Sequence, residues 1–256
     1  MNKEYYKKYY EFERFHWWFR ARNNILKVLI RKYFPTSTYS QPRILNIGVA
    51  TGGSTNLLKE FGNVTSVEYD KDCCVFLEEK LGIKTVNASI LELPFEDNYF
   101  DLVCAFDVIE HVDDDYKAVH EMSRVVKNGG IVIITVPAFM FLWSNHDKIN
   151  HHYRRYTLSV LLNLLTNSDL VVLFKSYFNF FLFFPIASFR VLVSKFIFNK
   201  ENNASDFEIN ANSNFINSIL FSVFNTEKYI LNKMSLPIGV SISLILKKSS
   251  KNTYLI

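Results

Sequence analysis

A glycine-rich segment followed by a distant carboxylate is the part of this sequence best suited to hold a nucleotide-like ligand. The segment "RILNIGVATGGSTNLL" (residues 43–58) contains three of the chain's eight glycines, Gly48, Gly52 and Gly53. A glycine-rich turn between a strand and a helix exposes backbone N–H groups and lets a ligand approach the backbone closely. Glu68 ends the next apolar run, where a carboxylate can accept hydrogen bonds from both hydroxyls of a ribose.

Ala50 bears on which ligand this turn could hold. Gly48, Ala50 and Gly53 nearly match the dinucleotide pattern G-x-G-x-x-G, but alanine stands at the second glycine. That glycine normally lets a pyrophosphate touch the backbone, so a methyl group there argues against a nicotinamide dinucleotide. A tight strand–helix turn without a ligand is the structural alternative at this stage.

Histidines and arginines are concentrated in "LWSNHDKINHHYRRYT" (residues 142–157). His146 and Asp147 could act as a base and the group that orients it. The arginines could bind a phosphate or carboxylate, with salt bridges between loop and helix as the alternative. The histidine spacing fits no helical pair such as H-x-x-x-H, so no metal site is predicted. The candidate substrate residues here are His151, Arg154 and Arg155.

Two further groups of residues are candidates for the site. His111 follows an apolar run in "EHV" and could serve as a base, or it could pack or cap the next helix. Trp17, Trp18 and Arg20 lie in an N-terminal segment with helical spacing, where they could cover the cleft and contact substrate. Aromatic residues at such spacing are also typical of a core.

The elements that must position these residues alternate between strand and helix. Continuous apolar strands in such an alternation predict a parallel sheet that is covered on both faces. Strands are predicted at 43–47, 64–68, 84–88, 100–106, 129–137, 170–178 and 239–247. Helices are predicted at 3–33 (as two helices), 53–61, about 70–81, 113–126, 157–167 and about 214–234, with a long loop at 137–156 and a mobile loop at 199–214.

Composition limits the classes of protein to consider. The chain has 256 residues, 49% hydrophobic residues and a net charge of +4, which is well short of a nucleic-acid-binding signature. Three cysteines predict a reducing compartment and no disulfide framework. The charged N-terminus is unlike a signal peptide, and the uncharged run 176–189 is too short to span a bilayer. We therefore expect a cytoplasmic protein.

Together with "LPFEDNYFDLVCAFDVIEHV" (residues 93–112), the glycine-rich segment and Glu68 resemble the class I S-adenosylmethionine-dependent methyltransferases. "HWWFRARN", "VPAFMFLWSNHD" and "HHYRRYT" are similar to a bacterial type 11, UbiG-like branch. The resemblance implies a Rossmann-like α/β fold with a seven-stranded, mostly parallel sheet in the order 3-2-1-4-5-7-6. It also implies one methyltransferase domain over 1–256, with an N-terminal helical lid at 1–40 and a helical insertion at 179–236.

The resemblance also assigns roles to single residues. Gly48 and Gly52 would border the methionine moiety and Glu68 would bind the ribose. Three positions differ from the family pattern: Asn46 stands where an acidic residue is usual, Val49-Ala50 where Cys-Gly is usual, and Ser89 where Asp is usual. Restoring the acid at Asn46 is expected to tighten cofactor binding. The full expected set is Asn46, Gly48, Ala50, Gly52, Glu68, Tyr69, Ser89, Ile90, Phe106 and Asp107.

The function implied is methyl transfer from S-adenosylmethionine to an oxygen or nitrogen of a small or lipid-linked acceptor, such as a cell-envelope glycan or lipid metabolite. The alternatives are a catalytically degenerate cofactor-binding partner protein and, less favoured, a nicotinamide-dependent oxidoreductase. Residues 179–199 combine Phe and Leu with basic residues, a composition that suits either peripheral contact with the inner face of a membrane or packing over the sheet.

Overall fold

The computed structural model describes residues 3–38, 40–196 and 214–249, with only the backbone described at 3–5, 191–196 and 214. The loop predicted to be mobile at 199–214 lies outside the described residues, except for its last position.

A single seven-stranded sheet forms the centre of the described structure, in the order β3-β2-β1-β4-β5-β7-β6. Its first five strands pair in parallel, and β7 pairs antiparallel with both β5 and β6. The predicted fold class and strand order are therefore confirmed. The strands are β1 Arg43–Ile47, β2 Asn63–Glu68, β3 Thr85–Asn87, β4 Phe100–Phe106, β5 Val126–Pro137, β6 Leu170–Phe178 and β7 Ser241–Lys248.

Helices cover the sheet on both faces, and some of them differ from the predicted bounds. The predicted loop 137–156 contains a short helix, which the periodicity missed because one turn of helix shows no repeating apolar pattern. The helix predicted at 214–234 is two helices. The helices are α1 Lys3–Phe15, α2 Trp17–Tyr33, α3 Gly53–Leu58, α4 Lys71–Leu81, α5 Asp115–Val125, α6 Asn145–Ile149, α7 Leu158–Asn163, α8 Phe183–Phe196, α9 Asn214–Asn225 and α10 Glu227–Leu231.

The central strands are mostly apolar because both of their faces are buried. In β4, Leu102 and Cys104 pack into the cluster beneath α2 and α9, whereas Val103 and Ala105 pack into the cluster beneath α5. Side chains alternate along a strand, so a strand covered on both sides buries nearly all of them, and the buried polar Asn46 and Asp101 are hydrogen-bonded. This packing fixes the carboxyl ends of β1, β2 and β4 at one edge of the sheet.

The two N-terminal helices lie against this edge. His16 separates them and caps α2, with its Nδ1 accepting a hydrogen bond from the Trp18 backbone N–H at 3.3 Å. The buried face of α2 includes Leu26, Leu29 and Ile30, which anchor the helix on the sheet. The same face carries the buried Arg22 toward the strand ends.

The excursion between β6 and β7 contains α8, α9 and α10. Among the helices of the described residues, none combines the length and the apolar character needed to cross a membrane.

Candidate functional site

A cavity of about 840 Å³ opens at the carboxyl ends of β1, β2 and β4. This is where the fold rule for open α/β sheets places ligands, and the volume lies high in the range of about 300–1,000 Å³ typical of ligand sites. The structure brings most of the predicted cofactor residues to its wall: Gly48, Ala50, Glu68, Tyr69, Ser89, Ile90, Phe106 and Asp107.

The glycine-rich turn after β1 has backbone angles that explain its composition. Gly48 has φ +67°, and a Cβ there would lie 2.6 Å from Val108 Cγ2. Gly52 has φ +86°, and a Cβ there would meet Ile83 Cδ1 at 2.7 Å, which places Gly52 behind the cavity wall. Ala50 also has a left-handed φ, +45°. This conformation costs a residue with a Cβ about 1–2 kcal/mol, so Ala50 is strained where the family pattern has glycine.

Glu68 connects the glycine-rich turn to the end of β2. Its Oε2 accepts a hydrogen bond from the Ala50 backbone N–H at 3.1 Å, and its Oε1 accepts one from the Asp70 backbone N–H at 3.0 Å. Burial raises the pKa of Glu68, while these backbone donors act in the opposite direction. Each carboxylate oxygen can accept a second hydrogen bond, so the group retains capacity for ribose hydroxyls.

An ion pair lies at the end of β4. Arg22 of α2 binds Asp107, with Nη2 2.6 Å from Oδ2, and Thr135 lies between them, within hydrogen-bonding distance of both. The same guanidinium lies over the ring of Phe106 at 5.5 Å from its centroid. Tyr69 is 77% exposed at the rim, whereas Ile90 is buried. The site therefore carries fixed charges of both signs at the deep end of the cleft.

Glu13 is a site residue that the sequence reasoning missed. From α1 its Oε2 accepts hydrogen bonds from the Gly53 backbone N–H at 3.1 Å and from the Thr51 hydroxyl. Burial raises the pKa of Glu13. Tyr6 makes a second contact from α1, because its hydroxyl donates a hydrogen bond to Asp70 at 2.8 Å. No spacing rule relates a glutamate to a turn some forty residues further on, so no signal in the sequence could have found this contact.

Asn46 lies beneath the turn, away from the cavity wall. It is 0% exposed, and its Nδ2 donates to the hydroxyls of Ser54 at 2.9 Å and Thr55 at 3.0 Å. The predicted contact between this side chain and a bound cofactor is thus not supported by its position. Its amide instead holds the start of α3 against β1.

The turn after β4 brings His111 to the cavity together with Glu110. His111 is exposed at the cavity, and partial loss of water around its ring lowers its pKa to about 4. Glu110 is 0% exposed, and neither of its carboxylate oxygens has a hydrogen-bond partner within the described structure. Burial, followed by the nearby charge of Asp107, raises the pKa of Glu110 well above its usual range.

The loop that contains α6 is organised around the fully buried carboxylate of Asp147. Arg155 binds it through Nε at 2.8 Å and Nη2 at 2.9 Å, and His152 Nδ1 lies 2.8 Å from Oδ1. Burial alone would raise the pKa of Asp147, but these partners hold it well below its usual range. The imidazole that Asp147 orients is therefore His152, which lines the cavity, as do His146 and Arg155.

The remaining predicted substrate residues are divided between the cavity and its surroundings. Trp17 and Trp18 line the cavity. Arg154 pairs with Asp115 at 2.9 Å, the salt bridge between loop and helix that was the alternative for this residue. His151 is exposed outside this cavity. Arg20 is exposed, and its guanidinium lies over the ring of Phe221 at 4.4 Å.

Residues 45–134 match the family model described as "Methyltransferase domain". Among curated relatives, a demethylmenaquinone methyltransferase of Staphylococcus aureus is 31% identical over 120 residues, which are 41% of this chain and 50% of that protein. The chain spans about half the length of the curated relatives it matches, or less.

Two solved structures have a similar fold. Phosphoethanolamine N-methyltransferase 2 of Haemonchus contortus, in complex with S-adenosyl-L-methionine, has a TM-score of 0.55 at 20% identity, covering 89% of this chain and 53% of that one. An S-adenosylmethionine-dependent methyltransferase of Archaeoglobus fulgidus has a TM-score of 0.52 at 20% identity, covering 94% and 99%. At this level of identity the likeness shows the fold, which is the Rossmann-like methyltransferase fold.

Proposed function

We propose that this protein is an S-adenosylmethionine-dependent methyltransferase that acts on an oxygen or nitrogen of a small or lipid-linked acceptor. The observation that carries the proposal is the carboxylate of Glu68, held at the carboxyl end of β2 and bonded to the backbone of the glycine-rich turn. Both lie within the segment that matches the methyltransferase family model. A carboxylate so placed is suited to the two hydroxyls of an adenosine ribose.

The other residues of the cleft fit the same cofactor. Gly48 lines the cavity, and its close packing against Val108 leaves no room for a Cβ, so the backbone itself forms this part of the wall. Arg22 and Asp107 offer a cation and an anion to the amino-acid end of the molecule. When bound, S-adenosylmethionine supplies an activated methyl group, so the protein has to align the acceptor and accommodate any proton it releases.

His111 remains the predicted base, but its surroundings limit that role. A general base works best when its pKa lies near the working pH. The side chain of His111 is exposed, yet partial loss of water around the ring lowers its pKa to about 4, which makes it a weak acceptor of protons near pH 7.

The apolar end of the cleft supports an acceptor with an apolar part. Leu182, Ile186 and Leu220, from the insertion between β6 and β7, line the cavity. Phe181 and Phe184 of the same insertion are 44% and 63% exposed, so aromatic rings lie outside the cleft as well as in it. Side chains of this kind favour contact with a lipid surface, from which a lipid-linked acceptor could enter.

Titration calorimetry with S-adenosylmethionine and S-adenosylhomocysteine tests the proposal. Glu68→Gln should weaken binding at least about ten-fold, because hydrogen bonds to a charged acceptor contribute about 1.5–3 kcal/mol each. Glu78→Gln, an exposed change on α4, is the matched control and should bind as the wild type does. If the wild type does not bind either compound at millimolar concentration, the proposal is wrong.

A second candidate is a protein that binds the cofactor without turnover. Strained Ala50, where the family pattern has glycine, favours it. The two candidates are separated by incubating the protein with radiolabelled methyl donor and envelope lipid extract. Label in the extract supports the enzyme, whereas tight binding with no transfer to any acceptor class supports the partner protein.

A further inference from the structure

Three side chains in the cleft bring together the kinds of donor atom that bind metals. One donor atom from each of Glu110, His111 and His152 lies within 4.8 Å of the others. Glu110 and His111 come from the turn after β4, whereas His152 follows α6, and all three line the same cavity. We infer that these residues form a binding site for one divalent transition-metal cation.

The carboxylate of Glu110 is the first reason. The residue is 0% exposed, and both of its oxygens lack a hydrogen-bond partner among the described residues. Burial of a carboxylate without partners is strongly unfavourable, so such a group needs a ligand, a proton or a cation to complete it. A cation held with His111 and His152 would satisfy these oxygens where the protein does not.

The orientation of His152 is the second reason, because one of its ring nitrogens is fixed from outside the cluster. His152 Nδ1 lies 2.8 Å from Asp147 Oδ1. Metal-binding histidines are characteristically oriented in this way, with the second nitrogen donating to a carboxylate or a backbone carbonyl. The rings of His111 and His152 are neighbours, at 86° to each other with centroids 4.5 Å apart.

The donor set indicates the class of metal. Two imidazole nitrogens and one carboxylate oxygen suit Zn²⁺, Co²⁺ or Mn²⁺, whereas Mg²⁺ and Ca²⁺ prefer oxygen ligands alone. Three protein ligands leave coordination positions for a small molecule. If the proposed methyl transfer is correct, a cation here would bind an acceptor oxygen and favour loss of its proton to solvent, before that oxygen forms the new bond to the methyl carbon and the sulfur–carbon bond breaks.

This inference departs from the prediction, made from spacing, that the chain has no metal site. That prediction considered the histidines of the loop 142–157 by themselves. The carboxylate and one imidazole come from the turn after β4, about forty residues earlier, and only the fold brings them to His152.

Co²⁺ binding tests the site without any cofactor or acceptor. Metal-free protein, prepared with a chelator, is titrated with Co²⁺ while its visible ligand-field absorption is recorded. We expect saturation at one ion per chain, with affinity at least about ten-fold lower in Glu110→Gln, which removes a ligand without removing a side-chain hydrogen bond. His151→Gln changes an exposed neighbouring histidine and should leave the titration unchanged.

Thermal unfolding with Zn²⁺ provides a second measurement. Zn²⁺ should raise the Tm of the wild type and of His151→Gln by more than that of Glu110→Gln, since stabilisation by a ligand depends on its affinity for the folded state. If Glu110→Gln does not fold, His111→Asn replaces it in both assays. The inference is overturned if the wild type shows no saturable Co²⁺ absorption, or if the ligand variant binds as the wild type does. Calorimetry with S-adenosylmethionine on metal-free protein distinguishes the two proposals. If the cofactor binds but Co²⁺ does not, only the metal site is wrong.

Discussion

Acid should destabilise this protein in part through one histidine at the junction of the N-terminal helices. His16 is 4% exposed and surrounded by the rings of Phe12, Trp17 and Phe19. Burial lowers its pKa from the ordinary 6.5 to about 4. The ring acts as the N-cap of α2 by accepting a hydrogen bond at Nδ1. Protonation turns that acceptor into a donor, so the cap cannot coexist with the charged ring.

The sign and size of the effect follow from proton linkage. Between pH 6.5 and 4 the unfolded chain binds a proton at this position and the folded chain does not, so stability falls as the pH falls through this window. At pH 5 these two pKa values correspond to a loss of about 2 kcal/mol relative to pH 7. Below the pKa of His16 in the folded state, about 4, its contribution to stability is fully lost.

Urea unfolding of the wild type and of His16→Asn at pH 7 and pH 5 measures this effect. Asparagine is a good N-cap and does not titrate, so the variant keeps the cap and removes the proton-binding group. We expect the stability difference, wild type minus variant, to fall by about 2 kcal/mol between the two pH values. His151→Asn, at an exposed histidine, should show no such change. A difference that is independent of pH would refute the burial argument for His16.

Four further predictions follow from particular contacts. Ala50→Gly should raise the free energy of unfolding, measured in urea, by up to about 1 kcal/mol, because relieving the left-handed strain at residue 50 outweighs the extra conformational entropy that glycine gives the unfolded chain. A lower free energy of unfolding in the variant would contradict the strain at Ala50. Asn46→Asp, expected from sequence to tighten cofactor binding, should instead lower stability by about 1–3 kcal/mol without tightening S-adenosylmethionine in calorimetry, since it buries a charge and removes two donated hydrogen bonds. Glu227→Gln should cost about 1–3 kcal/mol in urea unfolding, because the buried carboxylate accepts three backbone N–H groups from residues 179–181 and an amide cannot replace both oxygens. If the insertion contacts lipid, the protein should sediment with anionic liposomes at low salt and detach at high salt. Phe184→Asp should reduce this sedimentation, whereas the control Val160→Asp on α7 should not. If the wild type does not sediment at low salt, the proposed membrane contact is wrong.

The fold could be predicted from sequence because its signals are local and repeated. The strand 170–178 was predicted with the bounds that the structure gives to β6, and the order of the sheet followed from the family resemblance. Continuous apolar runs identify buried strands directly, since both of their faces are covered. The helices were predicted less accurately than the strands. The helices α6 and α10 have five residues each, which is too short for a repeating apolar pattern.

The cofactor side of the site could be predicted because most of its residues end or follow strands. Glu68 and Asp107 lie in the cleft because they end or follow the strands β2 and β4. The contact from Glu13 depends on how α1 lies over the turn, and the partner of Asp147 depends on the path of a loop. Neither relation has a period or a fixed spacing, so both had to be read from the folded chain.

The position of β7 has a consequence for how the chain is made. This strand, Ser241–Lys248, lies between β5 and β6, although both of those are synthesised before it. Until the ribosome releases residue 248, β5 and β6 each present an unpaired apolar edge, and such edges are sites of aggregation. A nascent chain halted before residue 241 therefore exposes two aggregation-prone strands at once, and the sheet is completed only after residues 241–248 have emerged from the ribosome.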